Sequence, residues 1–182
     1  MAEGLLQHEV DERGVEGRVS SAGLVYDDEP AEPFAIEALA DLGLDIEPHR
    51  SRRIAADLLT GADLVLGMER RHVREAVVLA PQIMPKAFTL KELVRRGEAV
   101  GPRSSGRPLD DWLEAAADGR SPSEHLGASA ADDVADPLGG LLKHFSRTAA
   151  ELEDLTTRLA DLLWPATPAR TPAEAVDDAL AH

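Results

Sequence analysis

Apolar positions along this chain recur mostly at helical spacing. Leu5, Leu6 and Val10 form one such series, which Arg13-Gly14 closes. Phe34, Ile36, Leu39 and Leu42 form a second series that ends at Gly43, after the polar loop "DDEPAEP". "IAADLLTG" predicts a brief helix, and the nearly continuous apolar run Ala62 to Met68 that follows reads as a buried parallel strand. "ERRHVREAVVLA" returns to helical spacing and stops at Pro81. "IMPKAFTL" reads as a last strand, and Thr89 caps the helix "LKELVRRG". Leu141, Leu142, Phe145, Leu152, Leu155, Leu159 and Leu162 sustain a long closing helix that Pro165 ends.

A short β-prone run, Arg18 to Ser21, follows the first helix and breaks at Gly23. The predicted order is therefore α, β, α, β, α, β, α, which points to an α/β fold with a parallel sheet covered by helices on both faces. Such a unit usually opens on a strand, whereas this sequence opens inside an amphipathic helix with no Ser, Thr, Asp or Asn cap before Ala2. Residues 97–133 are rich in Gly, Ser, Pro and charge, with one helix around Leu109 to Ala117, and read as a surface insertion. Pro165, Pro168 and Pro172 make 165–182 a flexible C-terminal tail.

Composition narrows the chemistry. A length of 182 residues with 43% hydrophobic content suits one domain with a sizeable core, and at 3% aromatic residues that core is filled by Leu, Val, Ile and Ala. A net charge of -15 repels nucleic-acid phosphates and anionic lipid surfaces, so neither is expected as a partner. Without an export signal or a membrane-length apolar run, the expected location is cytoplasmic. The absence of cysteine excludes disulfides, thiolate metal sites and thiol nucleophiles within these residues. His49, His72, His125 and His144 are scattered and form no compact ligand set. His72 and Glu75 share a helix face as an ordinary surface pair. Ser20 and Ser21 have no motif-placed histidine and acid, and no Gly-rich nucleotide loop is present.

Five fragments stand in a telling order: "MAEGLL", "VSSAG", "HRSRR", "GADLVLGMERRH" and "DVADPLGG" before a long helix. Together they resemble the low-molecular-weight protein tyrosine phosphatases in their bacterial form, over most of residues 1–164. The resemblance implies a three-layer sandwich around a short parallel sheet. In that family a first strand leads into a phosphate-binding loop, C-x-x-x-x-x-R-[ST]-P, followed by words like "MAEGLL". The strand and loop are thus expected to be missing ahead of Met1, together with the cysteine nucleophile and the phosphate-clamping arginine.

By the same resemblance, Asp136 is the general acid that protonates the leaving oxygen, and Ser21 supports the phosphate loop. Read locally, Asp136-Pro137 is a turn before the last helix, and Ser21 sits in a strand-end turn. Arg50, Arg52 and Arg53 support loops near the site or are simply solvated. The implied reaction is hydrolysis of phosphomonoesters, on phosphotyrosine proteins or small phosphate esters, through a cysteinyl-phosphate and with no metal or other cofactor. Leu138 and Gly139 stand where many eukaryotic members carry aromatic residues, which loosens the implied preference for phosphotyrosine. The 182 residues alone are expected to be inactive; the alternative is a non-catalytic pseudophosphatase that binds proteins.

Overall fold

A computed structural model describes residues 1–121 and 127–165. The elements, in chain order, are α1 (Ala2–Glu12), α2 (Pro33–Ala40), α3 (Ala56–Gly61), β1 (Val65–Gly67), α4 (Arg70–Leu79), β2 (Ala87–Thr89), α5 (Leu90–Val100), α6 (Leu109–Ala117) and α7 (Leu142–Leu163). The tail expected over 165–182 lies outside the described residues from position 166 onward, as does His125.

The two strands run parallel, with Val65 opposite Ala87, Leu66 opposite Phe88 and Gly67 opposite Thr89. Because side chains alternate across a strand, this register sorts the interior into two cores. Val65 and Ala87 face a smaller cluster with Leu59, Val73, Ala76 and Ile83, under α3 and α4. Leu66 and Phe88 face the main cluster, where Leu5, Leu39, Leu93, Trp112, Phe145 and Leu159 meet from α1, α2, α5, α6 and α7. The result is a helix–sheet–helix sandwich. The alternation of types is that of an α/β fold, as its sequence pattern predicts.

Local chemistry starts the helices where the sequence predicts. Pro33 occupies the first turn of α2, and the Glu32 carboxylate accepts the Phe34 N–H at 2.8 Å. At α5 the Thr89 hydroxyl accepts the Glu92 N–H at 3.1 Å while the Glu92 carboxylate faces the Thr89 N–H, a reciprocal cap. Helix α7 spans 22 residues, about 33 Å at the usual rise. Its buried side, Phe145, Thr148, Leu152, Leu155, Leu159 and Leu162, follows the three- and four-residue steps of one face.

Three segments depart from the sequence reading. "IMPKAFTL" is not one strand: Pro81–Lys86 forms a 3-10 turn, and only Ala87–Thr89 joins the ladder, because Pro81 and Pro85 favour a turn and cannot donate. Arg18 to Ser21 belongs to no ladder. The Val19 N–H goes to the Gln7 side chain at 2.7 Å and the Ser21 N–H to Glu3 at 3.0 Å, so helix α1 satisfies these amides. Among the described residues the sheet has two strands, and the bridges Gly23–Arg53 and Pro30–Arg50 are isolated from it.

The third departure concerns residues 97–133, which contribute to the interior rather than only to the surface. Trp112, Leu113 and Ala116 are all buried in the main cluster. The Trp112 indole N–H donates to Gly101 O at 2.9 Å, which fixes the ring across α5. A Cβ on Gly97 would lie 2.8 Å from the Trp112 ring and 2.9 Å from Leu162. Alanine gains about 1 kcal/mol over glycine in a helix interior, but overpacking a core costs about 1–3 kcal/mol, and here the ring has no room to yield. Gly97→Ala is therefore expected to destabilise the protein despite its better helix propensity; a lower urea midpoint checks this.

Candidate active site

The segment 127–141 passes the carboxyl end of β1 and leads into α7, and its course is fixed by buried charge. Asp132, 5% exposed, accepts hydrogen bonds from Arg70 on α4 at 2.7 and 2.9 Å and from Arg95 on α5 at 2.8 Å. Burial alone would raise the Asp132 carboxyl, yet the hydrogen bonds and charges of the two guanidiniums outweigh it and hold the group below the ordinary carboxylate value. Asp133 accepts from the Arg70 N–H at 2.8 Å and, through its other oxygen, from the Ser129 N–H at 2.7 Å. Its carbonyl accepts from Lys91 at 2.8 Å, and Lys91 also pairs with Glu151 at 2.5 Å.

Backbone contacts complete the anchoring. The Val134 N–H donates to Met68 O at 2.8 Å, which ties the segment to the residue just past β1. The Thr148 hydroxyl donates to Ala135 O at 3.3 Å. Asp136 follows directly, exposed, with one carboxylate oxygen accepting the Leu138 N–H at 3.0 Å across Pro137. Pro137 keeps Asp136 out of helical backbone, so α7 begins six residues later. Asp136 and Arg147 line two adjoining depressions of about 340 and 530 Å³; His144 and Thr148 join them in the first. A carboxyl at this position can exchange a proton with a bound molecule while its backbone stays fixed.

Ser21 lies at a different corner. Its hydroxyl donates to the Glu3 carboxylate near the start of α1, and His49 Nδ1 is 3.5 Å from the same carboxylate. Arg52 donates to Ser21 O at 2.7 Å, which makes that arginine a support of the turn. Arg50 is engaged with the carbonyls of Glu47 and His49 at 3.0 and 2.8 Å. Ser21 and Asp136 share no hydrogen bond, and the depressions at Asp136 do not include Ser21.

The sequence reading overlooked Asp132, Arg70, Arg95 and Lys91, which hold the Asp136 segment. It also gave His72 and His144 no role, although each imidazole accepts a backbone amide at a helix start. No helix among the described residues is long and apolar enough to cross a membrane.

Residues 1–101 match the model of the family described as low molecular weight phosphotyrosine protein phosphatase. The chain is 28% identical over 164 residues to the protein-arginine-phosphatase of Bacillus subtilis, covering 90% of this chain and 87% of that protein. It is 38% identical over 72 residues to the low molecular weight protein-tyrosine-phosphatase Wzb of Escherichia coli, which covers 39% of this chain and 49% of Wzb. Among solved structures, the low molecular weight protein tyrosine phosphatase from T. tengcongensis superposes with a TM-score of 0.66 at 30% identity, over 89% of this chain and 88% of that one.

Proposed function

Because this chain belongs to the low molecular weight phosphotyrosine protein phosphatase family, we propose that it carries the proton-donor half of a phosphomonoester hydrolase, with Asp136 as the general acid and Ser21 as a support of the phosphate loop. The observation that carries this reading is the anchoring of Asp136. Arg70, Arg95, Lys91 and the Met68 carbonyl all hold the residues just before it, while its own carboxyl stays exposed.

In the reaction a cysteine thiolate attacks phosphorus, and the bond from phosphorus to the leaving oxygen breaks. Asp136 gives its proton to that oxygen. The resulting carboxylate then takes a proton from the water that attacks the cysteinyl-phosphate, the sulfur–phosphorus bond breaks, and inorganic phosphate, the thiolate and the protonated Asp136 are restored. The 182 residues contain no cysteine, so this polypeptide by itself does not hydrolyse phosphate esters. The proposed substrates are phosphorylated proteins, with phosphotyrosine the first choice. Phosphoarginine is the second reading, favoured by the similarity to the Bacillus subtilis protein-arginine-phosphatase over 90% of this chain. A protein-binding role without catalysis is the remaining alternative.

The test is a pair of proteins assayed with p-nitrophenyl phosphate. The 182-residue chain is expected to show no turnover above background. The same chain with an added strand and C-x-x-x-x-x-R-S-P loop ahead of Met1 is expected to turn the ester over. Turnover by the first protein would remove the cysteine from the mechanism. A well-folded but inactive second protein would favour the binding role.

A further inference from the structure

Both helices that bound the Asp136 segment begin on an imidazole. At α4, His72 Nδ1 accepts the Glu69 N–H at 3.3 Å; at α7, His144 Nδ1 accepts the Leu141 N–H at 3.0 Å. Each histidine is the third residue of its helix, the position from which Glu or Gln reaches back in a capping box. The approach is close on both sides. A Cβ on Gly140 would stand 2.6 Å from His144 Nδ1, and one on Gly67 would stand 3.1 Å from His72 Cβ and 2.9 Å from Val73. A side chain larger than hydrogen at either glycine would push the ring or its helix aside.

An accepting Nδ1 carries no proton, so each ring is a neutral imidazole with its hydrogen on Nε2. An imidazolium donates from both nitrogens. It cannot accept the cap amide, and it sets a positive charge at the positive end of a helix. We propose that residues 127–141, with Asp136, are held by two unprotonated histidine caps and loosen in acid, a pH-dependent release built into the starts of α4 and α7.

The surroundings of each ring bear on the direction. His72 is faced by Glu69 and Arg71 from its own helix and by Asp133 and Asp136 from the segment. His144 shares its depression with Asp136 and with Arg147 of α7. Burial is the largest influence on His72 and lowers its affinity for a proton; Arg71 acts the same way, and the three carboxylates only partly oppose it. A group whose folded value is lowered binds more protons in the unfolded chain, so stability rises with pH. The His72 cap is fully in force above the ordinary histidine value of 6.5 and is lost as pH falls through the lower folded value.

The experiment uses the full chain and needs no enzymatic activity. Imidazole nitrogen NMR at pH 8 is expected to show bare Nδ1 and protonated Nε2 on both rings. Amide exchange in 127–141, taken relative to intrinsic rates, is expected to accelerate roughly fivefold for each cap lost as pH is lowered from 8 until the same spectra show the rings protonated. In the double variant His72→Gln and His144→Gln the amide side chain still offers an acceptor but does not titrate, so this acceleration should vanish. The proposal falls if either ring carries its proton on Nδ1, or if the glutamine variant loosens as the native chain does. Should the double variant not fold, each single substitution is expected to halve the effect on a logarithmic scale, and an undiminished effect in both singles would overturn it equally.

Discussion

Glu92→Ala is expected to destabilise the protein by about 3–5 kcal/mol, the range found when one partner of a buried charge network is removed. Glu92 is 2% exposed. Its carboxylate accepts from Arg96 at 3.1 Å and from Arg120 at 2.9 Å, both themselves largely buried. Arg120 also donates to Ala87 O at 2.8 Å and lies 4.1 Å over the Phe88 ring, so the network reaches the strand at the centre of both cores. Alanine would remove the buried carboxylate that both guanidiniums share and half of the cap at Thr89. With a urea slope of about 1–3 kcal/mol per molar, the unfolding midpoint should fall by more than about 1 M. A shift of a few tenths of a molar would mean that water replaces the carboxylate at little cost. Glu92→Gln, which keeps an acceptor oxygen, should lose less than alanine does.

The same residue illustrates what sequence can disclose. Thr89 followed three positions later by Glu92 is a readable helix start, and the helix begins there. That Glu92 also binds Arg120 is a contact across 28 positions, and nothing local announces it. Helix α7 was equally legible, because its apolar positions keep one period over 22 residues. The strands were harder. They are three residues long, too short for alternation to show, and β2 follows a proline-bearing turn that reads as part of it. In residues 97–133 the helix around Leu109 to Ala117 is readable, but the abundance of Gly, Ser and Pro around it masked its burial. Leu109, Trp112, Leu113 and Ala116 follow helical spacing, and the last three are buried.

The candidate site divides in the same way. Asp136 is singled out by family resemblance alone, and the proline after it gives a local reason for its non-helical backbone. The machinery that holds it was not accessible. Asp132 and Arg70 are 62 positions apart, and in a chain with 34 acidic and 19 basic residues no pairing rule selects that partner. The histidine caps are visible only once the first residue of each helix is known, and helix boundaries are the least determinate feature of a sequence pattern.

In the protein carrying an added C-x-x-x-x-x-R-S-P segment, Asp136→Asn is expected to lower kcat on a phosphotyrosine peptide by about 10²- to 10⁴-fold. A tyrosyl oxygen leaves as the conjugate base of a phenol with a pKa of about 10, so a proton delivered during bond breaking removes a large part of the barrier. The phenol released from p-nitrophenyl phosphate is far more acidic and leaves readily without help, so in kcat/KM, which reports the first step alone, the same variant should lose much less on that ester than on the peptide. This difference between substrates separates proton donation from structural damage, which would depress both to a similar extent. Burst kinetics supply the complementary reading. Dephosphorylation of the cysteinyl-phosphate needs the carboxylate as a base, so asparagine should slow both steps on the peptide, and a burst on p-nitrophenyl phosphate should become more prominent. If kcat on the peptide changes less than tenfold, the proton comes from another group, and Asp136-Pro137 returns to being the turn that its local sequence describes.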